Sequence, residues 1–277
     1  WAMDCFEQGL ITSEDTGGIE LRFGNAEAMV ALVEQMAYRR GFGEILADGS
    51  ARAAKVLGRG TERLVTAVKG AELPAHMPEV KRSLGLIYAV NPFGADHMSS
   101  EHDPSYSPDA GRLSRERVTS LGFQDPQPPR LLSEEKVRFA WTTQKIFSIA
   151  DTLCLCQFDW GPAWQLYGPD RFAPLVKAVV GWDVSLEELM LAGERRINMM
   201  RQFNAREGFT RRDDVLPPKV HQPKVGGATD GVAVTVEELE AAKDLYYRMA
   251  GWDPVTGNPT PEKLEALGIG WAAGTTR

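Results

Sequence analysis

The chain has 277 residues and a mass of 30.5 kDa, with 31 basic against 38 acidic residues and a net charge of -7. This balance argues against a general nucleic-acid binder, which carries a basic footprint, and no run of about 18 apolar residues is present to cross a membrane as a helix. Three cysteines are too few for a disulfide framework, so a reducing cytoplasm is the expected compartment.

The length fits one or two domains. Residues 1–8 read as an amphipathic helix stopped at Gly9, with neither an initiator Met nor a basic-then-apolar signal segment. The expectation is a chain that starts inside a larger protein. Asn25 is an N-cap for a helix over 26–39, with Met29, Val30, Leu32, Val33 and Met36 on one apolar stripe. Gly41 stops it, and an Ala-rich helix is expected over 44–57. Residues 61–94 are broken by Pro74, Pro78 and Pro92, with a helix near 80–88. The stretch 95–132 is rich in Pro, Ser, Asp and Arg. It is too long for a plain connector and reads as a functional loop. A buried helix is expected over 133–155, carrying Val137, Phe139, Ala140, Ile146, Phe147 and Ile149. Ser185 with Glu188 and Thr235 with Glu238 have capping-box spacing, opening helices to about 206 and 250. Between them, 207–234 reads as a polar loop. Thr260-Pro261 begins a last short helix. Strand signals are confined to 18–23 and 231–234. The expected fold class is all-α with long functional loops.

Residues able to do chemistry are few. Of four histidines, His97 and His102 lie in the segment 94–103, which also holds Asp96, Glu101 and Asp103. Two imidazoles and three carboxylates in ten residues can bind a metal or move protons; the alternative is a solvated loop with incidental charge. His76, between Pro74 and Pro78, reads as structural, and His221 as a loop residue. Cys154 and Cys156 fall at the end of the 133–155 helix. A thiolate is a natural iron–sulfur ligand, but so few thiols cannot fill a four-ligand cluster; the alternative is two small residues packing as hydrophobes. The charges of 194–207 suit a solvated or salt-bridged helix face, and Arg211-Arg212-Asp213-Asp214 a loop ion-pair cluster. Trp160, Trp164 and Trp182 are expected to fill cores. No phosphate-binding Gly-rich fingerprint, nucleophile elbow or two-His zinc helix is present.

Several segments, in order, resemble the C-terminal half of the aldehyde ferredoxin oxidoreductase family. They include Gly18-Ile19-Glu20-Leu21-Arg22-Phe23-Gly24-Asn25, Gly41-Phe42-Gly43-Glu44-Ile45-Leu46 and Val68-Lys69-Gly70-Ala71-Glu72-Leu73-Pro74. Further on come Gly193-Glu194-Arg195-Arg196, Phe203-Asn204-Ala205-Arg206-Glu207-Gly208, Asp213-Asp214-Val215-Leu216-Pro217 and Gly251-Trp252-Asp253. The resemblance implies a tungsten (or molybdenum) bis-pterin cofactor and a [4Fe–4S] cluster. It also implies oxidation of aldehydes to carboxylic acids, with electrons passed to ferredoxin or a related carrier, and a homo-oligomer or an electron-transfer subunit as partner.

The family's Asp-x-x-Gly-Leu-Cys pattern becomes Asp151-Thr152-Leu153-Cys154-Leu155-Cys156, with Cys154 at the glycine position. Asp151 and Leu155 would contact a pterin, and Cys156 would be a cluster ligand. The family's other three cluster cysteines are not among these residues. Gly94-Ala95-Asp96-His97 matches a segment carrying a histidine near the metal, which makes His97 the substrate-proximal residue. Ser99 stands where the family often has a basic residue that holds a pterin, and residues 99–106 depart from the best-known members. Two helical domains are expected, the tail of one at 1–66 and a second at 67–277, without the family's β-rich N-terminal domain. An aryl-CoA ring-reducing subunit of the benzoyl-CoA reductase type is the alternative reaction. A non-catalytic helical scaffold is the alternative of another class.

Overall fold

The computed structural model describes residues 1–160 and 166–273. Among them are twelve α-helices: α1 (Ala2–Glu7), α2 (Ala26–Tyr38), α3 (Phe42–Leu46), α4 (Ser50–Leu57), α5 (Arg82–Val90), α6 (Arg112–Ser120), α7 (Glu134–Thr152), α8 (Gln157–Trp160), α9 (Phe172–Val180), α10 (Leu186–Arg206), α11 (Val236–Ala250) and α12 (Pro261–Ala266). The described strands are β1 (Ala67–Val68) and β2 (Ala71–Glu72), an antiparallel pair in which Val68 faces Ala71. The all-α reading therefore holds, with this one small hairpin. Neither 18–23 nor 231–234 forms a strand.

The N-caps act as read from the sequence. Asn25, Thr235 and Thr260 each accept a backbone N–H from three residues on, and Ser185 with Glu188 completes a reciprocal box. Glu238 instead lies 3.7 Å from Arg82. The helix expected over 44–57 is split into α3 and α4 at Gly49, whose φ of +88° interrupts the helical backbone. The 95–132 stretch is not all loop: it contains α6, which buries Ser114 and Val118. On α2 only Ala28 and Leu32 are buried, and Met29, Val30 and Val33 of the expected stripe are exposed.

Helix α7 is the centre of the larger core. It packs against α5, α10 and α11, and buries Val137, Ala140 and Trp141 in one cluster and Phe139, Ile146 and Phe147 in the next. Residues 1–64 gather a separate cluster around Cys5, Leu21, Leu32, Phe42 and Leu64. Gly193 lets α10 lie directly on α7. A Cβ there would stand 2.3 Å from the Lys145 carbonyl oxygen, and the Ser148 hydroxyl donates to the Gly193 carbonyl at 2.9 Å.

Polar groups tie these layers together. The loop ion-pair cluster expected over 211–214 is present, and its Asp214 is fully buried in the core. Its carboxylate lies 2.7 Å from the Lys69 ammonium, 2.8 Å from the Arg201 guanidinium, and accepts the Tyr247 hydroxyl at 2.6 Å. Arg201 also donates to Asn258 and stacks over Trp252. Of the solvated or salt-bridged α10 face, the salt-bridged alternative holds here: Glu194 and Arg201 are buried, Glu194 paired with Lys145 and Lys263 and Arg201 with Asp214. Burial lowers the Lys69 ammonium's affinity for its proton, and the adjacent Asp214 opposes that shift.

Replacing Asp214 by Asn would leave two buried cations short of an anion, which costs about 3–5 kcal/mol. Urea denaturation is expected to show that loss, whereas a variant within about 1 kcal/mol of the parent would remove the network from the stability account.

Candidate active site

The end of α7 forms a tight turn. Leu155 donates its N–H to the Ala150 carbonyl at 2.9 Å, and Cys154 donates to Asp151 at 3.1 Å. These two bonds define a Schellman cap, which places its first residue beyond the helix in the left-handed region. That residue is Cys154, with φ +55°. The left-handed conformation that glycine adopts freely is thus kept by a cysteine. Leu153 and Leu155 pack back onto the cluster of Phe147, Ile149 and Ala150. Both thiols, Cys154 and Cys156, are exposed and free, which sets aside the reading of two packed hydrophobes.

Asp151 sits on the last turn of α7, half-buried. One carboxylate oxygen pairs with Arg196 of α10 at 2.9 Å, and the other accepts the Gln157 amide at 2.8 Å. Each oxygen keeps a second lone-pair direction for a further donor. Asp151, Leu155 and Cys156 are therefore brought together on one turn at the rim of the helical core. Beside it Leu153, Leu155, Leu175, Val179, Trp182 and Leu189 line an apolar groove of about 380 Å³. Trp182 is 67% exposed there and does not fill a core, whereas Trp160 is buried. Trp164 lies outside the described residues.

The histidine loop is built on the N-terminus of α5. Asp103, from twenty residues away, accepts the N–H groups of Ser83 at 3.0 Å and Leu84 at 3.1 Å. These are donors that no helix can satisfy internally, and a carboxylate there also meets the positive end of the helix dipole. Asp103 is paired as well with the fully buried Lys136 of α7. Gly94, at φ +89°, lets the loop start against the hairpin; a Cβ there would stand 2.4 Å from the Val68 carbonyl oxygen.

Three imidazoles converge on this frame. The His97 ring lies 5.0 Å from that of His76 and 6.1 Å from that of His102, and His76 and His102 are 4.8 Å apart. The Lys81 ammonium stands 2.9 Å from both His76 Nδ1 and His102 Nδ1. Burial pulls the His102 pKa down to about 4, and also lowers those of His76 and Lys81. His76 keeps the structural part read for it, and its ring joins this cluster through Lys81. Sequence reasoning missed it because the cluster is assembled from positions 76, 81, 97 and 102. His221, expected in a loop, instead ends a short 3-10 turn (Pro218–His221) and contacts the Val234 carbonyl at 2.7 Å.

A narrow polar cleft joins the two halves. Ser99, Asn91, Gln144, Ser148, Asp151 and Arg196 line it, together with the apolar Phe93, Ile197 and Met200. The Ser99 hydroxyl donates to Asp96 at 2.6 Å and accepts from Asn91 at 3.1 Å, so the loop carrying His97 is pinned on the cleft wall opposite Asp151. Among the described residues, no group of three or more His, Cys, Asp and Glu side chains is arranged to hold a metal ion. One exposed thiol at Cys156 suits a single ligand to a cluster completed by other groups.

Residues 1–269 match the family model for aldehyde ferredoxin oxidoreductase, domains 2 and 3. The chain belongs to the aldehyde ferredoxin oxidoreductase family. A tungsten-containing aldehyde ferredoxin oxidoreductase of Pyrococcus abyssi is 34% identical over 273 residues, covering 97% of this chain and 41% of that protein. The aliphatic sulfonate oxidoreductase WOR-like subunit of Pyrococcus furiosus is 26% identical over 284 residues, covering 98% of this chain and 39% of that protein. The chain thus spans about two fifths of the length of these curated relatives. Among solved structures, the active-site complex BamBC of benzoyl coenzyme A reductase with 1,5-dienoyl-CoA shares the fold. Its TM-score is 0.74 at 24% identity, covering 98% of this chain and 43% of that one. No helix among the described residues is long and apolar enough to cross a membrane.

Two outcomes follow for this family member. A left-handed residue other than glycine costs about 1–2 kcal/mol, partly offset by the freedom glycine adds to the unfolded chain. Cys154→Gly is therefore expected to raise the unfolding temperature slightly and Cys154→Val to lower it. The reverse order in a thermal scan would contradict the strained turn. His102 holds its proton only near pH 4 in the fold, against an ordinary value of 6.5. As the pH falls, the unfolded chain takes up that proton first. The contribution is therefore complete above about pH 6.5 and fades towards pH 4, by about 2–3 kcal/mol. Between pH 7 and 4.5 the parent is expected to lose that much more stability than His102→Gln; parallel curves would contradict it.

Proposed function

We propose that this chain is the C-terminal, helical part of a tungsten or molybdenum bis-pterin oxidoreductase that converts aldehydes to carboxylic acids. The electrons would pass through a [4Fe–4S] cluster to ferredoxin or a similar carrier in the cytoplasm, where exposed thiols stay reduced. The observation that carries this reading is the α7 cap. The left-handed turn survives the replacement of glycine by Cys154, and Asp151, Leu155 and Cys156 share one accessible edge. By this reading residues 1–66 are the tail of a middle domain and 67–277 a second domain, in keeping with the separate apolar cluster of residues 1–64.

The roles of the chain's own residues follow from their chemistry. Asp151, oriented by Arg196 and Gln157, accepts pterin N–H groups on its remaining lone pairs. Leu155 would also contact the pterin, and the Cys156 thiolate would be one ligand of the cluster. When bound, the metal–pterin group supplies the two-electron chemistry, and the protein supplies orientation and electrostatics. Aldehyde and water yield a carboxylic acid, two protons and two electrons. By this reading His97 would take one of those protons on its imidazole.

Cys156→Ala in the anaerobically purified, full-length polypeptide is expected to lose cluster iron while remaining folded. An unchanged iron content would end the ligand assignment. The reaction is tested separately, by steady-state assays of the metal-replete protein with aldehydes and with aromatic CoA thioesters. Aldehyde turnover is expected. The departure of residues 99–106 from the better-known members favours ring reduction as the second reading, and turnover of the thioesters alone would establish that reading instead.

A further inference from the structure

We propose that Lys81 and His102 are positioning residues. They form a directed hydrogen-bond chain that holds the His97 backbone and leaves the His97 ring as the one imidazole of the cluster available to accept a proton. The proposal rests on the reading of His97 as the substrate-proximal residue.

The direction of the chain is fixed by counting donors. Lys81 Nζ contacts two imidazole nitrogens, His76 Nδ1 and His102 Nδ1, each at 2.9 Å. An ammonium has three N–H donors and no lone pair, so both Nδ1 atoms act as acceptors. A neutral amine has one lone pair and could take a proton from only one of them. An imidazole that accepts at Nδ1 carries its hydrogen on Nε2. His102 Nε2 lies 2.7 Å from the His97 carbonyl oxygen, which can only accept. Both ends of the His102 ring therefore demand the same neutral tautomer: Lys81 donates to His102, and His102 donates to the His97 carbonyl. An imidazolium at His102 would point an N–H at the ammonium.

Burial lowers the Lys81 pKa from its ordinary value, and the carboxylates of Asp103 and Glu101 oppose that shift. The donor His102 presents to the His97 carbonyl sets the direction of the chain independently. Asp103 is itself fixed by the first turn of α5 and by Lys136 of α7. Tyr88 of α5 donates its hydroxyl to the His76 carbonyl at 3.0 Å, which holds the other side of the cluster. Asp96 is occupied by Ser99 and by the Met98 N–H. The facing titratable groups are thus His76, Lys81, Tyr88, Asp96, Glu101, His102 and Asp103, and each has a partner or a neighbouring charge. Among the described residues the His97 ring takes no hydrogen bond. It can gain a proton without breaking one, whereas His76 and His102 cannot.

The test has one readout that needs no cofactor and one that does. In the full-length polypeptide labelled with ¹⁵N at histidine, NMR at neutral pH is expected to show His102 protonated at Nε2 and bare at Nδ1. In Lys81→Met its titration midpoint is expected to rise by at least one pH unit. A protonated Nδ1 in the parent, or an unmoved midpoint in the variant, would overturn the chain. In the metal-replete protein, His102→Leu is expected to lower kcat at least tenfold with KM changed less than twofold. His102→Gln, which keeps a donor for the His97 carbonyl, is expected to recover most of that loss. Equal kcat values for parent and His102→Leu would overturn the positioning role. Full activity of His97→Ala, with the NMR result intact, would instead overturn the functional reading of His97 and leave the hydrogen-bond chain standing.

Discussion

One buried carboxylate, Asp214, sets the relation between the two halves of the candidate site. Its oxygens hold Lys69, Arg201 and Tyr247 in a region from which water is excluded, where removing either sign of charge leaves the other uncompensated. Lys69 belongs to the β1–β2 turn. The Val68 carbonyl of that hairpin crowds Gly94, the residue from which the His97 loop departs. Arg201 belongs to α10. One and a half turns earlier the same helix presents Arg196 to Asp151. A shift at Asp214 would therefore reach the histidine loop through the hairpin and the α7 cap through α10.

A second buried pair, Asp103 with Lys136, performs a similar task on a smaller scale. Asp103 caps α5 from a distant loop, and the fully buried ammonium of α7 neutralises the carboxylate. Because Asp103 directly follows His102, this anchor also fixes one end of the histidine cluster. Two ion pairs in the core thus position side chains at its rim. Neither Asp214 nor Asp103 lines the polar cleft between the His97 loop and Asp151. Their contribution is geometric, and Asp151 and His97 themselves are half-buried at the rim.

The features legible in the sequence were those encoded locally. N-caps at Asn25, Ser185, Thr235 and Thr260 lie within three residues of the donors they satisfy, so a short window suffices to read them. The Asp151–Cys156 edge was reached only through the family resemblance, since the residues by themselves left two packed hydrophobes as the alternative. Helix α6 was hidden because it offers few apolar residues and many polar ones. Helix α9 was hidden by Pro174, which is tolerated because it falls in the first turn, where its missing N–H has no partner to lose. What is assembled from afar could not be read. Arg201 looked like a surface charge until Asp214 and Trp252 closed over it. His76 read as a structural residue between two prolines, with nothing nearby in sequence to show that Lys81 bridges it to His102. The positive φ of Cys154 was implied only by the helix end, since nothing in a cysteine's own preferences favours it.

The central claim is that this helical part serves a metal–pterin and iron–sulfur enzyme. Elemental analysis for tungsten, molybdenum and iron on the anaerobically purified, full-length polypeptide tests it most directly. The account predicts tungsten or molybdenum together with about four iron atoms per chain. A folded protein grown with both metals supplied, yet carrying neither of them and no iron, would contradict it and establish a non-catalytic helical scaffold instead.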